Sequence, residues 1–178
     1  MMPTLLKLAL SGTALVAALY DLRLRRIPNW LNLSGIILGF GLNTYFLAGR
    51  GATLASLGCL LALAVYTPLY LLRGMGAGDV KLMAAIGAIA GPANWFNIFL
   101  ATALLGGALS IFLIVLRRRF HLTLLNISII LGQLSHRRSP ALADSHLDIR
   151  SQNALTLPHG AVIAAAVFLF LLLQLRHA

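Results

Sequence analysis

Residues 53–72 read Thr-Leu-Ala-Ser-Leu-Gly-Cys-Leu-Leu-Ala-Leu-Ala-Val-Tyr-Thr-Pro-Leu-Tyr-Leu-Leu, a stretch without one charged side chain. An α-helix needs roughly 20 predominantly apolar residues to cross the hydrocarbon core of a bilayer. Further apolar segments follow outward from this one, at about 4–20, 30–48, 82–93, 95–116 and 156–175. Of the 178 residues, 60% are hydrophobic and only 10% charged, whereas about a quarter of an ordinary soluble domain is charged. The chain therefore reads as an all-α, polytopic transmembrane helix bundle of about six membrane helices, a single membrane domain over residues 1–178.

The ends of these segments carry their own signals. Leu82–Ala93 is too short to cross the bilayer upright, so its helix is expected either to begin near Gly78 or Asp79 or to dip into the bilayer from one side. Gly91-Pro92 marks its end and the turn into the next helix. Trp30 and Trp95 fall at segment edges, where indole rings favour the membrane interface. The first segment has nearly the length and charge of a signal peptide. It leads directly into Asp21 and three arginines with no small-residue cleavage site, and is read as a retained helix.

A net charge of +10 would suggest a nucleic-acid partner for a soluble protein. Here the Lys and Arg residues cluster between apolar blocks, where positive charge sets topology, and no nucleic-acid partner is expected. With one span before the Asp21 loop, that loop shares a side with the connections at 73–81 and 117–155. That side holds Arg23, Arg25, Arg26, Arg73, Lys81, Arg117, Arg118, Arg119, Arg137, Arg138 and Arg150. The other holds Lys7, Arg50 and Arg176. Eleven against three places the first side in the cytoplasm and the N-terminus outside, in a multi-pass membrane protein. The basic 117–155 connection includes an apolar stretch, Leu122 to Leu134, short for a span and suited to lying on the inner leaflet.

The chain has only four carboxylate side chains, all aspartates. Asp144 and Asp148 lie in the polar part of the long connection and read as solvated loop charges. Asp21 and Asp79 instead sit against membrane-grade apolar sequence, where an anion needs a partner or a function. Taken singly, Asp79 could cap a helix N-terminus, and Asp21 could pair with a nearby arginine. Taken together, they lie at helix boundaries on one side of the membrane, where a bundle can join them. Two carboxylates sharing a site cannot both ionise easily, so one keeps a proton and the other accepts one. That arrangement suits activation of water against a peptide carbonyl. The single cysteine, Cys59, excludes a CxxC zinc site, no metal or cofactor is expected, and no serine-nucleophile motif appears.

Three motifs carry a family resemblance. Asp21 with the following arginines and Ile27-Pro28-Asn29, then Gly76-x-Gly78-Asp79-x-Lys81-Leu82, resembles the prepilin peptidases, the Gly-x-Gly-Asp membrane aspartic proteases. Leu157-Pro158-His159-Gly160 is similar to the family's Pro-aromatic-Gly element, with His159 in place of the aromatic. The resemblance implies an aspartic endopeptidase that removes the basic leader of type IV prepilins or pseudopilins at the cytoplasmic face, usually after glycine. It implies Asp21 and Asp79 as the catalytic pair. Gly76, Gly78, Lys81, Pro28, Asn29, Pro158 and Gly160 become substrate-binding or loop-shaping residues, the glycines letting substrate backbone approach Asp79. Lys81 is either a charge partner or a lysine snorkelling to the interface.

Larger members carry a cytoplasmic segment with paired zinc-binding cysteines that supports N-methylation. This chain lacks those cysteines, so methyltransferase activity is not expected and a short peptidase-only form, like those serving Flp-type pili, fits. Implied partners are the prepilin or pseudopilin substrate, the lipid bilayer, and pilus or secretion machinery. Two other classes compete: a small proton- or cation-coupled transporter, and a non-catalytic pilus or secretion assembly subunit. A transporter favours carboxylates near mid-span and broken helices facing across the bilayer; an assembly subunit leaves the joined motifs unexplained.

Overall fold

The computed structural model describes residues 2–72, 75–116 and 158–176; the expected 117–155 connection, with Asp144 and Asp148, lies outside them. Four helices make up the described part: α1 Thr4–Leu24, α2 Asn29–Leu71, α3 Ala77–Leu116 and α4 His159–Arg176. All four are long and apolar enough to cross a membrane, and no strand occurs among the described residues. The helix-bundle class is as expected. Two of the four, α2 and α3, each run across a backbone break that divides them into two helical segments.

The breaks have distinct causes. At 43 residues and 1.5 Å per residue, α2 is about twice as long as one crossing requires. Its backbone departs from helical geometry at Ala48, with φ 50° and ψ −137°. Gly51 then lies against the Asn43 backbone, where a Cβ would collide with the Asn43 carbonyl. The chain doubles back there.

In α3 the break falls at Gly91, with φ 74° and ψ 170°, a backbone region open to glycine. Pro92 follows and lacks an N–H, so the Ala88 carbonyl loses its usual helical donor. Asn43 supplies the replacement: its Nδ2 donates to the carbonyls of Gly39, Ala88 and Ile89 at 2.9, 3.0 and 3.1 Å. A bilayer offers no water for freed carbonyls, so a buried side chain must do this.

Lipid tails are as apolar as leucine, so close packing and not water exclusion joins these helices. The α2–α3 interface shows it. A Cβ on Gly39 would come within 2.6 Å of the Ala88 backbone, and Gly58 and Gly87 are in backbone contact. Small neighbours let α3 sit centrally, buried on every side from Leu82 to Gly91. Its second half folds back, stacking Trp95 on Phe99 with Tyr66 edge-on to both. Trp95 donates from Nε1 to the Met83 carbonyl at 3.2 Å and is fully buried. This corrects its expected interfacial position: the fold-back at Gly91 draws the indole into the core. Trp30 remains exposed, edge-on to Tyr20.

On α1, Leu6, Leu10, Ala14, Ala17 and Asp21 form one buried stripe, while Leu5, Leu8, Leu15 and Leu19 face outward. The spacing of three and four residues keeps the stripe on one face. The helix runs past the expected end at Tyr20, so Asp21 lies within its last turn instead of opening a loop. Arg25 ends the helix in the left-handed region, its N–H donating to the Asp21 carbonyl at 3.0 Å.

Gly58→Leu is expected to destabilise the bundle by at least about 3 kcal/mol through overpacking against Gly87. Asn43→Leu should cost about 1–3 kcal/mol by leaving buried carbonyls without a donor. Thermal unfolding in detergent, followed by loss of the monodisperse peak on size exclusion, measures both.

Candidate active site

Four chain segments meet at one end of the bundle: the last turn of α1, the Arg25–Pro28 link, and the first turns of α3 and α4. Asp21 is only 8% exposed. Its Oδ2 accepts the Gly160 N–H at 2.8 Å, across 139 positions of sequence. Pro158 begins that helix start, its carbonyl accepting the Ala161 and Val162 N–H groups at 3.1 and 3.3 Å. An anion in the last turn of its own helix faces the negative end of that helix dipole. The free N–H groups at the start of α4 offset this, because a helix N-terminus binds anions. Gly160 must be glycine for such an approach: a Cβ would lie 3.0 Å from Asp21 Cβ and 3.1 Å from Oδ2.

Asp79 is the third residue of α3. The Gly76 carbonyl accepts the N–H groups of Asp79 and Val80 at 3.2 and 3.4 Å, so Gly76 occupies the cap position. The Gly76 N–H in turn donates to the Asp79 carboxylate. This is the reciprocal pattern of a capping box, with aspartate in the third helical position. Asp79 is therefore not the N-cap residue itself. A Cβ on Gly76 would lie 3.1 Å from Asp79 Oδ2, close enough to crowd the carboxylate.

Gly78 serves another contact. A Cβ there would press on Ile27 Cβ at 3.3 Å, so the backbone that approaches Gly78 belongs to the protein's own Arg25–Pro28 link. Pro28, with φ −69°, precedes α2 and sets its start. Asn29 Oδ1 accepts a hydrogen bond from Lys81 Nζ at 2.9 Å. Lys81 is exposed and ties the start of α2 to α3.

Asp21 and Asp79 lie within coulombic reach of one another. The expected site residues Asp21, Pro28, Asn29, Gly76, Gly78, Asp79, Lys81, Pro158 and Gly160 thus gather around one end of the bundle. Two further residues join them. Tyr66 of α2 lies within coulombic reach of Asp79, and His159 of α4 within coulombic reach of Asp21. Tyr66 sits mid-way along an apolar segment, where the only hint is a phenol in need of a polar partner. Among the described residues, no three His, Cys, Asp or Glu side chains converge as metal ligands.

The model of the type IV leader peptidase family matches residues 8–111, more than half of the chain. The protein belongs to that family. No curated protein and no solved structure matches it. The matched span contains both aspartates of this leader peptidase and ends before α4. The Gly160 donor to Asp21 lies beyond it, brought in by the fold.

Gly160→Ala is expected to lower leader-peptidase activity by roughly tenfold, because the added Cβ crowds the Asp21 side chain at 3.0 Å and shifts a carboxylate of the site. The rate of leader removal, normalised to membrane-inserted protein by immunoblot, measures it.

Proposed function

We propose that this protein is an aspartic endopeptidase that removes the N-terminal leader of type IV prepilin-like substrates, using Asp21 and Asp79 as a water-activating pair. The observation that carries this reading is the meeting of two carboxylates at one end of the bundle, each held by a glycine N–H. Like charges at short range repel, so two neighbouring carboxylates favour holding one proton between them. The ionised member takes a proton from water as the water oxygen attacks the scissile carbonyl carbon. The protonated member donates to the carbonyl oxygen as negative charge develops there. Collapse of the tetrahedral intermediate breaks the C–N bond, and the proton taken from water passes to the departing amine. Either aspartate can begin as the base.

Several finer features complete the proposal. The eleven-to-three distribution of basic residues favours an active site on the cytoplasmic side of the inner membrane, with the N-terminus outside. Cleavage without N-methylation is proposed, since one cysteine cannot supply the paired cysteines of methylating members. Flp-type pilins are the substrate class this short form suits, with pilus or secretion machinery receiving the product. A transporter reading is disfavoured by the carboxylates lying in terminal helical turns and not near mid-span.

Asp21→Asn and Asp79→Asn test the pair. In the Asp21→Asn variant the carboxamide oxygen can still accept the Gly160 N–H, so the fold has no reason to fail. Each variant is expected to lose at least about 10³-fold in processing rate, on the scale of general acid–base contributions, with little change in thermal unfolding. Co-expression with a prepilin and mass measurement of the mature N-terminus provides the readout; full processing by both variants would refute the mechanism.

A further inference from the structure

Lys7 is a cation that the rest of the fold leaves unexplained. It is the fourth residue of α1 and is half-buried. Asp21 lies fourteen positions further along the same helix, about 21 Å away at 1.5 Å per residue, and Asp79 lies at Asp21's end of the bundle. No carboxylate side chain among the described residues is therefore placed to pair with Lys7. The first turn of α1 is also the positive end of its dipole, where a cation is disfavoured. Lys7 lines a groove of about 570 Å³ formed by α1, the second half of α3 and α4. Asn97 and Gln174 join it at the same end, because α3 turns back at Gly91 and α4 runs away from Gly160. From there Leu100 and Leu104 of α3 and Leu169 of α4 continue the walls towards the middle of the bundle. Leu104 is 74% exposed and Leu169 40%, so the groove opens sideways, where lipid chains lie.

We propose that this groove holds a phospholipid, its phosphate paired with Lys7 and one acyl chain lying along the leucine walls. The lipid supplies the anion that the described fold does not. Asn97, exposed beside Lys7, offers amide donors to further phosphate oxygens. A headgroup amine would meet no described carboxylate side chain at this end, so an anionic lipid such as phosphatidylglycerol is preferred to a zwitterionic one. Basic pockets between membrane helices recognise anionic headgroups in this way. The volume lies in the range of small-ligand pockets, whereas a helix about 10–12 Å across needs far more. An acyl chain fills space whose lining otherwise lacks partner atoms on one side. It also bridges α1 to α4, the two helices that the Gly160–Asp21 bond joins at the opposite end. The bound lipid thus steadies the helices that carry that bond.

Native mass spectrometry and thermal unfolding of the full chain in detergent, titrated with phosphatidylglycerol or phosphatidylcholine, test the assignment. The wild-type protein is expected to retain a phosphatidylglycerol molecule and to melt several degrees higher with it, phosphatidylcholine giving a smaller shift. Lys7→Gln is expected to weaken retention about fivefold, the scale of one basic side chain at an anionic headgroup. Arg50→Gln, a substitution at the same end but outside the groove, is expected to leave retention unchanged. Equal loss in the two variants, or equal retention of the two lipids, overturns the proposal. Inorganic phosphate and short-chain phosphatidylglycerol carry the charge without the long chain and are expected to give little or no shift. A full shift from either overturns the placement of the acyl chain. A second measurement needs no variant. Phosphatidylglycerol with a photoactivatable group in its acyl chain is expected to label the peptides containing Leu100, Leu104 and Leu169 in wild-type protein in nanodiscs. Labelling spread evenly over all four helices overturns the proposal, and so does displacement of the label by a prepilin-type precursor, which would assign the groove to substrate.

Discussion

A bilayer leaves a buried polar group nothing to bond except the protein itself, and the bond from Gly160 N–H to Asp21 Oδ2 is where that constraint shapes this molecule most. It joins the first helix to the last and holds an anion where its own helix dipole opposes it. The α4 N-terminus supplies the compensating field. The same requirement explains Asn43, whose amide takes over the carbonyls that Gly91 and Pro92 release. It explains the turn of Gly76 onto Asp79 as well. The fold is organised around polar groups that had to be satisfied, with apolar packing filling the space between.

Glycine sets how closely these groups meet. Gly39, Gly58 and Gly87 bring α2 onto α3 at backbone contact, Gly78 admits Ile27, and Gly160 admits Asp21. Each is a place where a methyl group would push helices or carboxylates apart. The central segment of α3, buried on all sides, keeps Asp79 from shifting independently of its neighbours. Geometry at the carboxylates is thus inherited from packing deep in the bundle.

Sequence reading reached the bundle class, the positions of both aspartates and the segment boundaries now seen as breaks at Ala48 and Gly91. Those were legible because charge and hydropathy change abruptly there. The inward and outward faces were not legible, since lipid and core are equally apolar and no amphipathic stripe separates them. Hence Trp95 was expected at the interface and lies in the core, and Tyr66 gave little notice of facing Asp79.

The partner of Asp21 belongs to the final helix of the described fold, and this has a consequence for biogenesis. As the chain is synthesised and inserted from its N-terminus, α1, α2 and α3 are made before α4. Until α4 enters the membrane, Asp21 has no Gly160 amide to hold it. Completion of the site therefore waits for α4, and a chain that stops before it lacks the amide that holds Asp21.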